Sequence, residues 1–264
     1  MAFAPVVLVL LLGTGLVLLD RLWPANARDV AWVAGTEMVP SDESSVIRRY
    51  LARHRRHRMV GGLVGVLAAG TAEVRWHETA SIQVLLFGGI AGVLVGTLSA
   101  ESYRLHLRAA GPSLASLEPR AAAPLPGVVR AARGLLAIAA VVAVALAVWR
   151  RDDGPLLLAA AGAAVTAVAE ATRAQIVGRR RPVLSARARD LDKRIREFAA
   201  RSVAWLQLAA AVLVAGGVLS MVPGPPSGPL AMVRGLALVA AFVAAVVCTH
   251  RAAPRPPITW RRAP

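Results

Sequence analysis

The chain has 264 residues, 56% of them hydrophobic and 5% aromatic, with a net charge of +16. Soluble domains rarely run so apolar, and the single cysteine, Cys248, excludes an internal disulfide or a multi-cysteine metal site. A basic excess of this size suggests nucleic acid in a soluble chain, but here the arginines lie in blocks between apolar runs, without interleaved aromatics. No nucleic acid is therefore expected, and anionic membrane lipids are the simpler partner.

Ala4 to Leu19 is an apolar run close to the roughly 20 residues that a bilayer-crossing helix needs. No Lys or Arg precedes it, and Asp20 and Arg21 separate it from the cleavage-like Ala25-Asn26-Ala27. It reads as an uncleaved first span, about 4–19, rather than a signal peptide. In the loop 20–57, Pro40-Ser41-Asp42-Glu43 is a helix start, because Ser41 can cap and the acids suit the N-terminal dipole. The helix is expected to pass through Arg48, Arg49, Arg53, Arg55 and Arg56 into a second span, about 58–76. His54, His57 and His106 lie among arginines and read as solvated or touching headgroups.

A short turn, Arg75-Trp76-His77-Glu78, leads to a third span, about 81–100. The loop 101–132 holds Arg108, Arg120 and Arg130, and its prolines at 112, 119, 124 and 126 argue against one continuous helix. The fourth span, about 133–149, and the fifth, about 155–172, flank the tight turn Arg150-Arg151-Asp152-Asp153-Gly154-Pro155. The loop 173–202 is the most charged stretch. Within it Ser185 to Ser202 reads as an amphipathic helix, with Asp190–Arg194 and Asp192–Arg196 as acid-before-base pairs. Its apolar stripe, Leu191, Ile195 and Phe198, suits the inner leaflet or a docking cytoplasmic protein. The sixth span, about 203–222, a proline-rich turn and the seventh span, about 230–248, complete the count, and 249–264 is a basic tail.

The expected fold class is an all-α integral membrane protein: a bundle of seven transmembrane helices in a single membrane domain, 1–264, with amphipathic cytoplasmic helical segments. Arginine-rich segments stay on the cytoplasmic side. This puts 20–57, 101–132, 173–202 and the tail inside and the N-terminus outside, in the plasma membrane. Trp76 and Trp149 then fall at the outer interface, and Trp23 and Trp205 at the inner one.

Two glutamates lead the candidate residues. Glu101 and Glu170 each end an apolar span, where an anion opposes the helix dipole, and Arg104 and Arg173 follow three residues later. They are expected either to form interfacial ion pairs or to converge on a shared cavity. The two settings, Ala100-Glu101-Ser102-Tyr103-Arg104 and Ala169-Glu170-Ala171-Thr172-Arg173, lie 69 residues apart, and Ala131-Ala132-Arg133 precedes Ala199-Ala200-Arg201 by 68. This suggests three related hairpins with the first span added. Glu73, Arg75, His77 and Glu78 form an outer cluster that reads as a solvated turn. Gly88, Gly92 and Gly96 give two overlapping Gly-x-x-x-Gly steps, which make the third span the candidate bundle centre or a contact with a partner subunit.

No metal or cofactor is expected, and Cys248 and His250 are two apart, off a common helical face. A retinal Schiff base needs a lysine inside a span, whereas Lys193 is in a loop; phosphate-loop, His-Glu-x-x-His and Gly-x-Ser-x-Gly motifs are missing. The sequence points to a non-catalytic membrane subunit or scaffold that meets lipids, and a cytoplasmic or membrane protein partner, through its arginines. The alternatives are a transporter component for a small or lipid-like substrate and an intramembrane enzyme acting on an isoprenoid or lipid.

Overall fold

A computed structural model of the chain describes residues 26–36, 38–77, 82–102, 125–178, 186–225 and 227–253, with the side chains of 76, 77 and 186–188 left out. The regular elements among those residues are all helices, with no strand among them. The helices are α1 (Ala27–Ala34), α2 (Ser41–His77), α3 (Ile82–Ser102), α4 (Pro126–Arg150), α5 (Gly154–Gly178), α6 (Ala186–Ser220) and α7 (Pro229–Arg251). Five of them, α3 to α7, are long and apolar enough to cross a membrane. The second expected span, 58–76, is the latter half of α2, which carries too much charge and too short an apolar stretch to join them. The expected first span, 4–19, lies outside the described residues.

The described residues form three antiparallel hairpins, α2–α3, α4–α5 and α6–α7. At one end, the basic end, Tyr50 and His54 of α2 meet Glu101 of α3, Arg133 of α4 meets Glu170 of α5, and Ser202 of α6 meets Ala252 just past α7. At the far end the turns are short. Arg151 takes a left-handed φ of 55° and its N–H donates to Ala147 O at 2.8 Å, while Asp152 Oδ1 accepts from the Gly154 N–H at 3.0 Å. Arg234 binds the carbonyls of Val222 (2.7 Å) and Pro225 (2.8 Å), closing the proline-rich turn back onto α7.

The bundle centre is α6, which corrects the choice of the third span. Of the apolar stretch of each helix, 72% is buried in α6 and 28% in α3. The physical reason is side-chain size. Ala199, Ala200, Ala204, Ala209, Ala210 and Ala211 are all buried, so neighbours approach α6 from every side. The glycines of α3 serve a narrower purpose. A Cβ at Gly88, Gly92 or Gly96 would strike the backbone of α2 at Gly65, Gly61 and His57 respectively. The mates Gly61 and Gly65, themselves four residues apart, make a two-sided seam that joins α2 to α3.

Two boundaries differ from expectation. α4 starts at Pro126 instead of 133, since proline at the first helical position lacks only an N–H that would be unbonded anyway. α6 is continuous from 186 to 220, so the amphipathic segment and the sixth span are one rod.

That continuity gives the apolar stripe a different use from leaflet or docking contact. Ile195 and Phe198 are buried against α1 and the first half of α2, in a small core with Val30, Val33, Ile47 and Tyr50. Trp32 meets Phe198 edge-on, ring centroids 5.2 Å apart. α1 was not foreseen, although Asn26 and Asp29 at its start and Gly35 at its end are stop-and-start signals; the Asn26 N–H donates to Asp29 Oδ2 at 3.3 Å, and Gly35 has φ 69°. Arg194 donates to the Ala34 carbonyl at that helix end and also binds Asp190 at 3.0 Å, while Arg196 binds Asp192 at 2.9 Å, as the i, i+4 spacing predicts.

Candidate functional site

Tyr50, His54 and Arg58 recur every four residues, so they form one stripe along α2. The glycine seam above them fixes the register in which this stripe faces the end of α3. Glu101 Oε1 accepts from the Tyr50 hydroxyl at 2.9 Å and lies 2.7 Å from His54 Nε2. The Tyr50 and His54 rings pack at 4.3 Å between centroids. Both members of the His54–Glu101 pair are sealed, with side chains 3% and 5% exposed. The expectation of a solvated His54 is thus corrected: it points into the junction of α2 and α3. Burial, the largest influence, holds its imidazole below the usual histidine range. Arg58 and Arg53 push the same way, and the neighbouring carboxylate of Glu101 opposes them without prevailing.

One turn further, Arg58 ties three helices. Its Nε donates to Thr97 Oγ1 on α3 at 3.0 Å and its Nη2 to Ser202 Oγ on α6 at 2.9 Å. Each hydroxyl passes its own proton on, Thr97 to Val93 O (2.7 Å) and Ser202 to Ala252 O (2.6 Å) just past α7. His57 Nδ1 lies 3.1 Å from Ser99 Oγ. Serine, threonine and arginine near the ends of apolar helices therefore bond to neighbouring helices, which is where such groups are cheapest.

Glu170 has a different setting. Its Oε1 accepts from Arg133 Nε (2.9 Å) on α4 and Gln207 Nε2 (3.0 Å) on α6; its Oε2 accepts from Arg173 Nη1 (3.2 Å). The expected Glu170–Arg173 pair is present. The Glu170 side chain is 31% exposed and that of Arg133 57%. Gln207 is fully buried, and its Oε1 has no hydrogen-bond partner among the described residues.

The two glutamates are thus held by different helices, Glu101 by α2 and Glu170 by α4 and α6. Arg104, the expected partner of Glu101, lies outside the described residues; sequence reasoning missed Tyr50 and His54, although their four-residue spacing was available. Glu73 does not join either site. It lies on α2 about 28 Å along the axis from His54, which touches Glu101. Of the outer cluster, Arg75 is exposed, Glu73 is half-buried, and Glu78 and the His77 side chain fall outside the described residues. Among those residues, no three His, Cys, Asp or Glu side chains gather as metal ligands would.

No family model matches the chain, no curated protein matches it and no solved structure matches it.

Proposed function

We propose that this is a multi-pass protein of the plasma membrane, crossing seven times with its N-terminus outside and its C-terminus inside. It acts without a catalytic centre of its own, as a membrane subunit or scaffold that meets anionic lipids and a partner protein through cytoplasmic arginines in 20–57, 101–132, 173–202 and 249–264. Support for α2 as a span comes from the glycine seam, which holds its apolar half level with α3, and from Val60, Val64 and Val74, which stay exposed. Ala4 to Leu19 supplies the remaining crossing.

One observation carries the reading. At the basic end Arg48, Arg49, Arg130, Lys193, Arg201 and Arg251 are exposed, while Glu101 and Glu170 are occupied by the chain's own side chains. The exposed acids described at that end, Asp42, Asp190 and Glu197, are fewer than these cations, and the outward excess of positive charge makes a surface for negative charge. The test is thermal stability of the full chain in phosphatidylcholine nanodiscs with a rising phosphatidylglycerol fraction. Stability should rise with that fraction and the gain should shrink in high salt; a melting temperature indifferent to phosphatidylglycerol would sink the reading. Orientation needs engineered thiols, because Cys248 is itself buried. In a Cys248→Ala background, an impermeant maleimide applied to sealed cells should tag Asp153→Cys and spare Arg49→Cys.

A transporter component is the second reading, favoured by the part-exposed Glu170 beside the unsatisfied Gln207 Oε1. It requires proton flux in proteoliposomes that Glu170→Gln abolishes.

A further inference from the structure

We propose that the corner where α4, α5 and α6 meet at the basic end binds one anionic phospholipid, with its phosphate on Arg130 and Arg133, Arg173 behind them, and an acyl chain along the exposed face of α4. This rests on the lipid-docking reading above and gives it a discrete site.

Charge is the first argument. Arg133 and Arg173 share the single carboxylate of Glu170, so the corner keeps a positive excess even before Arg130 is counted. Arg130 lies three residues before Arg133, hence beside it on α4, and is exposed. Arg133 gives Nε and Nη2 to Glu170 yet stays 57% exposed, which leaves a flank of the guanidinium open. Arg173 is nine-tenths buried, and its Nε has no hydrogen-bond partner among the described residues. A guanidinium presents its donors in a planar fork that fits phosphate oxygens.

Depth and shape agree with this. Arg133 lies about 24 Å along α4 from Trp149, near the edge of a hydrocarbon core about 30 Å thick. That is headgroup level if Trp149 marks the opposite interface. A Cβ at Gly134 would meet nothing within 4 Å, so the approach to Arg133 is uncrowded. Deeper along the same helix Ile138, Val141, Val144 and Val148 are exposed at three- and four-residue steps, an apolar track for an acyl chain.

Glu170 makes the idea testable, because it competes with the phosphate for both arginines. The full chain, purified in mild detergent, is titrated with phosphatidylglycerol, with phosphatidylcholine of the same chain length, and with inorganic phosphate, and retained lipid is read by native mass spectrometry. One phosphatidylglycerol should be retained in preference to phosphatidylcholine. Arg133→Gln and Arg130→Gln should each weaken retention by about fivefold, and Arg75→Gln at the far end should leave it unchanged. Glu170→Gln should tighten retention, whereas a purely structural role for this corner predicts weakening. Equal retention of the two lipids, displacement by inorganic phosphate at equal concentration, or weaker binding in Glu170→Gln would overturn the site. If nanodisc stability still rises with phosphatidylglycerol in that event, only this site falls; if it does not, the docking reading falls with it.

Discussion

Glu101 and Glu170 occupy matching places in two hairpins and have opposite fates. Each sits near the end of the second helix, preceded by alanine, and each is met by a side chain of the first helix. Glu101 is sealed and Glu170 is partly open. The cause lies in the first helix of each pair. α2 starts at Ser41, far before the level of Glu101, so its overhanging turns bring Tyr50 and His54 over the carboxylate, with α1 and α6 packed around them. α4 starts at Pro126, only two turns before Arg133, so among the described residues it reaches far less beyond the corner than α2 does. Helix length before the bundle therefore decides whether the same local motif becomes a locked polar contact or an accessible one.

The largest effect should come from Glu101→Leu. It leaves the buried Tyr50 hydroxyl and the neutral His54 imidazole without their acceptor, and each unsatisfied buried donor costs about 1–3 kcal/mol. Thermal unfolding in detergent should show this as a large drop, and a shift no bigger than that of Glu170→Gln would erase the distinction between the two sites. Next comes Gly92→Val. Its branched side chain meets the backbone of α2 at Gly61 and Gly65, which cannot move aside as a flexible side chain would. Overpacking of about 3 kcal/mol is expected. Because the seam sets the register, a His54–Glu101 double-mutant cycle should lose its coupling in this background while the Arg133–Glu170 cycle keeps its own. Gly127→Ala, with open space around it, is the near-neutral control.

How much of this was legible in advance follows from the range of each signal. Local and periodic features could be read: the helix start at Ser41, the i, i+4 pairs Asp190–Arg194 and Asp192–Arg196, the close-packing glycines of α3 and the Glu170–Arg173 pair. Each depends on residues within one or two turns. What failed depended on which helix lies beside which. The stripe of Leu191, Ile195 and Phe198 looks free in the sequence because α1 and the first half of α2, which cover it, lie far away along the chain. His54 looks solvated because its flanking arginines hide that every fourth residue from Tyr50 faces α3. In the sequence the glycine stripe of α3 stands out more than the alanines of α6, although a helix buried on all sides needs small residues all round and not one stripe of them.

Acidification should sharpen the contrast. The folded state holds His54 neutral, with its pKa below the ordinary 6.5, so between the folded value and 6.5 the unfolded chain binds the more protons. Stability from this group is complete above about 6.5 and is lost as pH falls through the folded value. One proton sets the slope at no more than about 1.4 kcal/mol per pH unit. His54→Gln should flatten that limb of the melting-temperature profile, whereas Arg133→Gln should leave it in place; an unchanged limb in His54→Gln would assign the acid response to another group.

The smallest effect belongs to Glu170→Gln. The amide still accepts from one arginine and keeps a polar group beside Gln207, and a pair this exposed contributes at most about 1 kcal/mol. The melting temperature in neutral detergent should fall slightly, and the small loss should vanish in high salt, because water and ions already reach Arg133. The Glu101 contact, closed to solvent, should not respond to the same salt. A Glu170→Gln loss that persists undiminished at high salt would mean that the open corner is held as tightly as the sealed one, and that exposure is not what separates the two hairpins.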